Sequence, residues 1–248
     1  MKLHINYADG GFYQSQRQNS ESALSVGCLD KSIMCNKNDI DSEFLSKKAH
    51  ILTQKRGAGY WLWKPYIILK HLKQLSENDY LIYTDSGMLF VDCIDNLLNI
   101  EAENIEKSGM LFTETTQWIP EGPPWKAPIE YEWTKRDTFI LTKTDNENIT
   151  HSTQLNAAFL IAKPCKRSFE FLEEWICFGS DVRAITDIGN CMGKNNYEGF
   201  VEHRHDQSIM SVLAKKYNFR TICDMTQWGE PRRNPIYKTL LDHNRNKN

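Results

Sequence analysis

Apolar positions along this chain switch between the spacing of strands and that of helices. Leu3 to Tyr7 is a short β-prone run closed by the turn signal Asp9-Gly10-Gly11, so the chain opens on a strand that gives way to a loop. The polar stretch that follows keeps only weak helical spacing, at Ala23, Leu24 and Leu29. Ile33 to Cys35 reads as a second strand, and Ile40 to Ile51 as a helix with Phe44, Leu45 and Ile51 on one side and Lys47 and Lys48 on another. Pro65 suits the first position of a helix, where a missing N–H leaves nothing unpaired, and Ile68, Leu69, Leu72 and Leu75 carry the helical spacing onward. Tyr80 to Thr84 is β-rich, too short for a helix, and delivers Asp85-Ser86-Gly87 at its end. Further strands are expected at Gly109 to Thr113, Ala157 to Ala162 and Phe219 to Cys223, with helices at Phe169 to Phe178 and Gln207 to Tyr217.

This alternation predicts a single α/β domain over residues 1–241, a Rossmann-like central mixed sheet flanked by helices. The last residues, 242–248 (DHNRNKN), hold no apolar side chain and are expected to fray. Between the regular elements, Gln117 to Asp137 carries four prolines and Trp118, Trp125 and Trp133. It is too irregular for secondary structure and too aromatic for disorder, which points to a packed functional loop.

Composition narrows the function. The 248 residues hold 30 Lys plus Arg against 32 Asp plus Glu, a net charge of -2, so no cationic field exists to grip nucleic acid. No apolar run spans a bilayer and the N-terminus lacks the core of a signal peptide, which leaves room only for peripheral membrane contact. Seven cysteines with no CxxC pair argue against a disulfide framework and a thiolate zinc site; they read as buried free thiols in a reducing cytoplasm.

Candidate chemistry sits in three places, and GxxxxGK[ST], HExxH, GxSxG and GxGxxG are all absent. Gly57-Ala58-Gly59 precedes Tyr60, Trp61, Trp63, Lys64 and Pro65, with Lys55 and Arg56 before it. Close backbone approach at Gly59, flat faces on Tyr60 and Trp63, and charge on Arg56 and Lys64 suit a base, a ribose and a diphosphate. The competing reading makes Trp61 and Trp63 core anchors. Asp85 at a strand end could hold Mg2+ or Mn2+ against a diphosphate, or merely cap a turn with Ser86. His203-Arg204-His205-Asp206-Gln207-Ser208 gathers titratable groups at a helix start, where Asp206 is either a functional carboxylate or an N-cap.

The segments RGAGYWLWKP (Arg56 to Pro65), YTDSG (Tyr83 to Gly87), WTKRDTF (Trp133 to Phe139), QLNAAFLIAK (Gln154 to Lys163) and HRHDQSI (His203 to Ile209) together resemble bacterial and viral glycosyltransferases of polysaccharide synthesis. That family has the glycosyltransferase-A fold. The resemblance implies a UDP-sugar or similar donor, a glycan or lipid-linked glycan acceptor, and a divalent cation. It assigns the donor to Arg56, Gly59, Tyr60, Trp63, Lys64, Asp85, Ser86 and Asn156. The acceptor falls to Trp118, Trp125, Gln154 and His205, and Asp206 and Gln207 become catalytic. In the Asp-x-Asp metal motif the second acid is Gly87 here, so Asp85 alone would serve Mn2+ or Mg2+, helped by the diphosphate, water and a histidine such as His203 or His243. Asp206 as a base implies inversion, and as a charge stabiliser it fits retention. A metal-dependent nucleotidyltransferase or phosphohydrolase would need more clustered carboxylates. A non-catalytic glycan-binding module would explain Trp118, Trp125 and Trp133 but not Asp85.

Overall fold

The computed structural model describes residues 1–118, 125–226 and 237–243. Its central sheet has six strands in the order β2-β1-β3-β8-β5-β9. These are β1 (Lys2–Tyr7), β2 (Lys31–Cys35), β3 (Tyr80–Thr84), β5 (Met110–Glu114), β8 (Leu155–Ala162) and β9 (Arg220–Ile222). Four short strands pair outside it among the described residues. Met88–Phe90 (β4) runs antiparallel to Leu241–His243 (β10), and Gln117–Trp118 (β6) runs antiparallel to Trp125–Lys126 (β7).

β1 lies between β2 and β3 and is parallel to both. The chain therefore leaves β1 toward one side and returns on the other, and the carboxyl ends of β1 and β3 border the switch point where open α/β sheets bind ligands. β8 runs antiparallel to both β3 and β5, which makes the sheet mixed as expected.

Side chains alternate across the strands and bury both faces. Leu81 and Tyr83 join Leu3, Ile5 and Phe112 against the helices Trp63–Leu72, Lys166–Gly179 and Asp206–Lys216. Ile82, Leu111, Phe159 and Ile161 face Ala23, Leu97, Ile105 and Phe90 on the other side.

The structure departs from the sequence pattern where burial is polar. Tyr13–Ser25 is a helix, not a loop. Its inward residues Gln16, Asn19 and Ser20 are buried, and they bond to the sheet instead of packing apolar surface. Asn6 Nδ2 donates to Asn19 Oδ1 at 2.6 Å and Ser20 Oγ at 2.9 Å, while Asn19 Nδ2 donates to the Met88 carbonyl at 2.8 Å. Hydrophobic periodicity cannot reveal such a face.

The expected helix Ile40–Ile51 breaks at Lys48 (φ −113°, ψ 17°) into Ser42–Lys47 and Ala49–Leu52. Pro65 is the third residue of its helix, not the first. The helix Asp95–Ser108 and strand β4 fall where no element was expected. Gln117 to Asp137 holds the β6–β7 pair and a helical turn, Glu130–Trp133, so it is not wholly irregular, and Trp133 is buried. Asp242 and His243 belong to β10 instead of fraying, while residues 244–248 lie outside the described residues.

Cysteine usage also departs from expectation. Cys28 and Cys93 form a disulfide, and Cys177 and Cys191 are exposed; Cys35 is the free thiol that is buried.

The polar helix face gives a direct test. Asn19→Ala deprives Asn6 and the Met88 carbonyl of partners while slightly favouring the helix, and it should cost about 1–3 kcal/mol in urea unfolding. A change within about 0.5 kcal/mol, the scale of a surface substitution, would remove the polar face from the account of stability.

Candidate active site

Three elements converge at the carboxyl end of β3. Tyr83 is buried on the face that points to the Trp63–Leu72 helix, and its hydroxyl donates to Asp85 Oδ1 at 2.7 Å. The Asp85 amide donates to the Ala158 carbonyl at 2.8 Å, which fixes the turn to β8. Ser86, expected at the donor, is buried and donates to the Tyr7 carbonyl at 2.5 Å. Trp63 is 5% exposed and stacks on Tyr7 with ring centroids 3.8 Å apart. For this tryptophan the core-anchor reading holds.

Lys64 is the centre of the arrangement. Its side chain is 3% exposed, and Nζ lies 3.0 Å from Asp206 Oδ2, 3.2 Å from Asp85 Oδ1 and 3.2 Å from the Ala157 carbonyl. One of these contacts is a hydrogen bond and two are ion pairs, so the ammonium is turned inward toward protein oxygens and away from a phosphate. Burial works against the charged ammonium, but Asp206 and then Asp85 outweigh it and hold its pKa above the ordinary lysine value.

Asp206 begins the Asp206–Lys216 helix, and the N-cap position falls to His205 (φ 52°, ψ −117°). The expectation of Asp206 as N-cap is therefore corrected: its carboxylate faces Lys64. Burial pushes its pKa up to about 6; Lys64 opposes the rise and Asp85 adds to it.

The remaining expected residues line β8. Gln207 Oε1 accepts from the Ala157 amide at 3.3 Å, and its Nε2 donates to Gln154 Oε1 at 2.8 Å. Gln154 is 1% exposed and its Nε2 bonds toward Glu130, Thr134 and the Trp133 carbonyl. Asn156 Oδ1 accepts from the Ala158 amide at 2.8 Å. The β5–β8 register shifts between Phe112 and Thr113, opposite this segment, and such irregularities re-aim side chains beside functional sites.

Other expected residues lie apart from this cluster. Arg56 Nη1 stands 3.6 Å from Asp187 Oδ2, both side chains about half exposed. Gly57, Ala58, Gly59, Tyr60 and Trp61 all have positive φ. A Cβ on Gly59 would fall 2.6 Å from the Leu52 Cα, so this glycine admits protein backbone. Tyr60 is half-buried, its ring centroid 5.0 Å from that of His205. Backbone register sets Trp118 opposite Trp125, while the side chains of both lie outside the described residues.

A metal site can be weighed from its donor atoms. His203 is buried with Nε2 at 2.8 Å from the Ala184 carbonyl and Nδ1 accepting from the Lys135 amide at 3.4 Å, so it is not available to Asp85. His243 pairs with Met88 in the β10–β4 register, on the strand that follows Asp85. Among the described residues no three His, Cys, Asp or Glu side chains gather as a metal cage. Asp85 is 41% exposed, and among the described residues its Oδ2 accepts no hydrogen bond. One free carboxylate oxygen fits a hard cation that shares its shell with phosphate and water.

Sequence reasoning missed Tyr83, Tyr7 and Asp187. Tyr83 was within reach, because alternation puts it two residues before Asp85 on the same side of the strand.

No protein-family model matches the chain, and no curated protein matches it. Among solved structures, its fold matches mouse xyloside xylosyltransferase 1 in the apo form, with a TM-score of 0.52 and 10% identity, over 100% of this chain and 98% of that one. The chain thus has the fold of a glycosyltransferase. Among the described residues, no helix is long and apolar enough to cross a membrane.

Two outcomes are expected from the ion cluster. Lys64→Met leaves Asp206 buried without its counter-charge and should destabilise the protein by about 3–5 kcal/mol in urea unfolding. The Asp206 carboxyl has a pKa raised in the fold from 3.8 to about 6, so protonation favours the folded state. Its stabilising contribution is full below pH 3.8 and lost as pH rises through about 6. Urea unfolding of the wild type and Asp206→Asn between these limits should show that slope in the wild type alone; parallel profiles would contradict the assignment.

Proposed function

We propose that this chain is a glycosyltransferase that moves a sugar from a nucleoside diphosphate, most simply UDP, to a hydroxyl of a glycan or lipid-linked glycan in surface polysaccharide or glycoconjugate synthesis. The observation that carries this reading is the joining of Asp85, at the switch point of the sheet, to buried Asp206 through one lysine.

The donor diphosphate sits beside the free oxygen of Asp85. Through that oxygen Asp85 would hold a divalent cation, Mn2+ or Mg2+, whose chemistry would be to offset negative charge on the departing diphosphate. Tyr83 and Lys64 hold the other Asp85 oxygen, so the carboxylate keeps one orientation. Asp206 faces the reacting carbon or the acceptor hydroxyl, and Lys64 keeps it from turning away. Gln207, fixed by the Ala157 amide and Gln154, aligns the first turn of the same helix. In this arrangement Lys64 positions two carboxylates and does not bind phosphate.

Calorimetry with UDP should show tighter binding when Mn2+ is added, and Asp85→Asn should lose that enhancement while UDP still binds. An unchanged enhancement would put the cation elsewhere. In a UDP-release assay across UDP-sugars, Asp206→Asn should lower turnover at least about a hundredfold. Full turnover by a folded Asp206→Asn protein would remove Asp206 from the chemistry.

A further inference from the structure

Beside the ion cluster lies a second set of polar side chains, which includes Arg56, expected at the donor but set here against Asp187. His205 is 2% exposed, and its Nδ1 lies 2.8 Å from the Ile185 carbonyl oxygen. A carbonyl only accepts, so Nδ1 carries the proton and a neutral ring has a bare lone pair at Nε2. Burial keeps the ring neutral by lowering its pKa. Among the described residues, Nε2 itself is buried without a hydrogen-bond partner.

What Nε2 faces is a carboxylate. Asp187 Oδ1 lies 3.7 Å from it, and Asp187 Oδ2 stands 3.6 Å from Arg56 Nη1. Neither separation is a hydrogen bond. Two acceptors thus confront each other with no proton between them, and a buried acceptor left unpaired costs free energy until a donor reaches it. Asp187 and Arg56 are 48% and 50% exposed, so the carboxylate that covers Nε2 can turn aside for a ligand.

The surroundings suit a sugar. His205 stacks on Trp61 with centroids 5.7 Å apart and planes at 21°, and Tyr60 tilts against the same ring. Both aromatics are half-buried. His205, Tyr60 and Trp61 have φ of 52°, 53° and 59°, so strained backbone meets strained backbone here. Such strain costs on the order of 1–3 kcal/mol per residue and clusters at ligand sites.

We infer that His205, Asp187 and Arg56 form a subsite for two neighbouring hydroxyls of the acceptor sugar, with Asp187 setting specificity. One hydroxyl donates to His205 Nε2; its neighbour donates to Asp187 and accepts from Arg56. The peptide bond from His205 to Asp206 keeps this subsite beside the carboxylate assigned to the reacting centre. The inference rests on the transferase reading for the word acceptor, and on the three side chains alone for the hydroxyl pair.

The test is histidine 1H–15N NMR on the full chain, titrated with p-nitrophenyl glycosides of glucose, galactose, mannose and xylose, with UDP and Mn2+ present. At least one glycoside should move the His205 Nε2 resonance. Asp187→Ala should weaken its binding by about tenfold or more, with Asp187→Asn losing less and UDP affinity unchanged in both. Equal glycoside binding by the wild type and Asp187→Ala overturns the proposal, as does a His205 ring found charged and paired with Asp187. UDP binding with His205 unmoved by every glycoside overturns the subsite and spares the transferase reading. Glycoside binding at His205 in a protein that ignores UDP upholds the subsite and removes the transferase reading.

Discussion

One buried ammonium decides how three distant parts of the chain meet. Lys64 comes from a helix, Asp85 from the end of β3 and Asp206 from the first turn of another helix, and Nζ touches both carboxylates and the Ala157 carbonyl of β8. Removing a charge from water costs several kcal/mol unless partners with good geometry replace the solvent. The three elements are thus held in register by a penalty: any slippage that opened the contact would strand a charge in the interior. Two carboxylates against one ammonium also leave the cluster one negative charge in excess when Asp206 is ionised, and burial answers by raising the Asp206 pKa. That excess charge is what a proton on Asp206 removes.

That constraint accounts for where the backbone is strained. Asp206 can face Lys64 only because His205, before it, takes φ 52° and ψ −117°, a conformation an L-residue adopts at a cost. Across the gap, Tyr60 and Trp61 take left-handed φ within the run that leads into Lys64. Gly57 makes this turn feasible, since a Cβ there would fall 2.3 Å from the Trp61 ring. The aromatic contacts between Trp61, Tyr60 and His205 offset part of that strain, so the two distorted segments brace each other.

The sequence made the sheet legible where burial is apolar. Leu3 to Tyr7, Tyr80 to Thr84 and Ala157 to Ala162 all lie in strands, and the GYWLWKP, TDSG and HDQ segments come together near the switch point. The Tyr13–Ser25 helix escaped because Gln16, Asn19 and Ser20 face inward, and polar burial leaves no periodic apolar signal. The destination of each charge was equally hidden. Lys64 and Arg56 look alike in one motif, yet one is enclosed by two acids and the other reaches solvent beside Asp187; only tertiary packing separates them. Nor could spacing reveal that Cys28 and Cys93 pair.

The separation of these two cations has a chemical consequence. A lysine enclosed by protein oxygens cannot turn outward without stranding buried Asp206, so it holds the two carboxylates in place. Arg56 meets Asp187 at 3.6 Å, half in solvent, and surface pairs of this kind are worth about 0–1 kcal/mol. That pair can open for a ligand at little cost. Charge at this end of the sheet is thus divided by burial into a fixed part, which sets the geometry of Asp85 and Asp206, and an exposed part at Arg56 and Asp187, which can open to what binds.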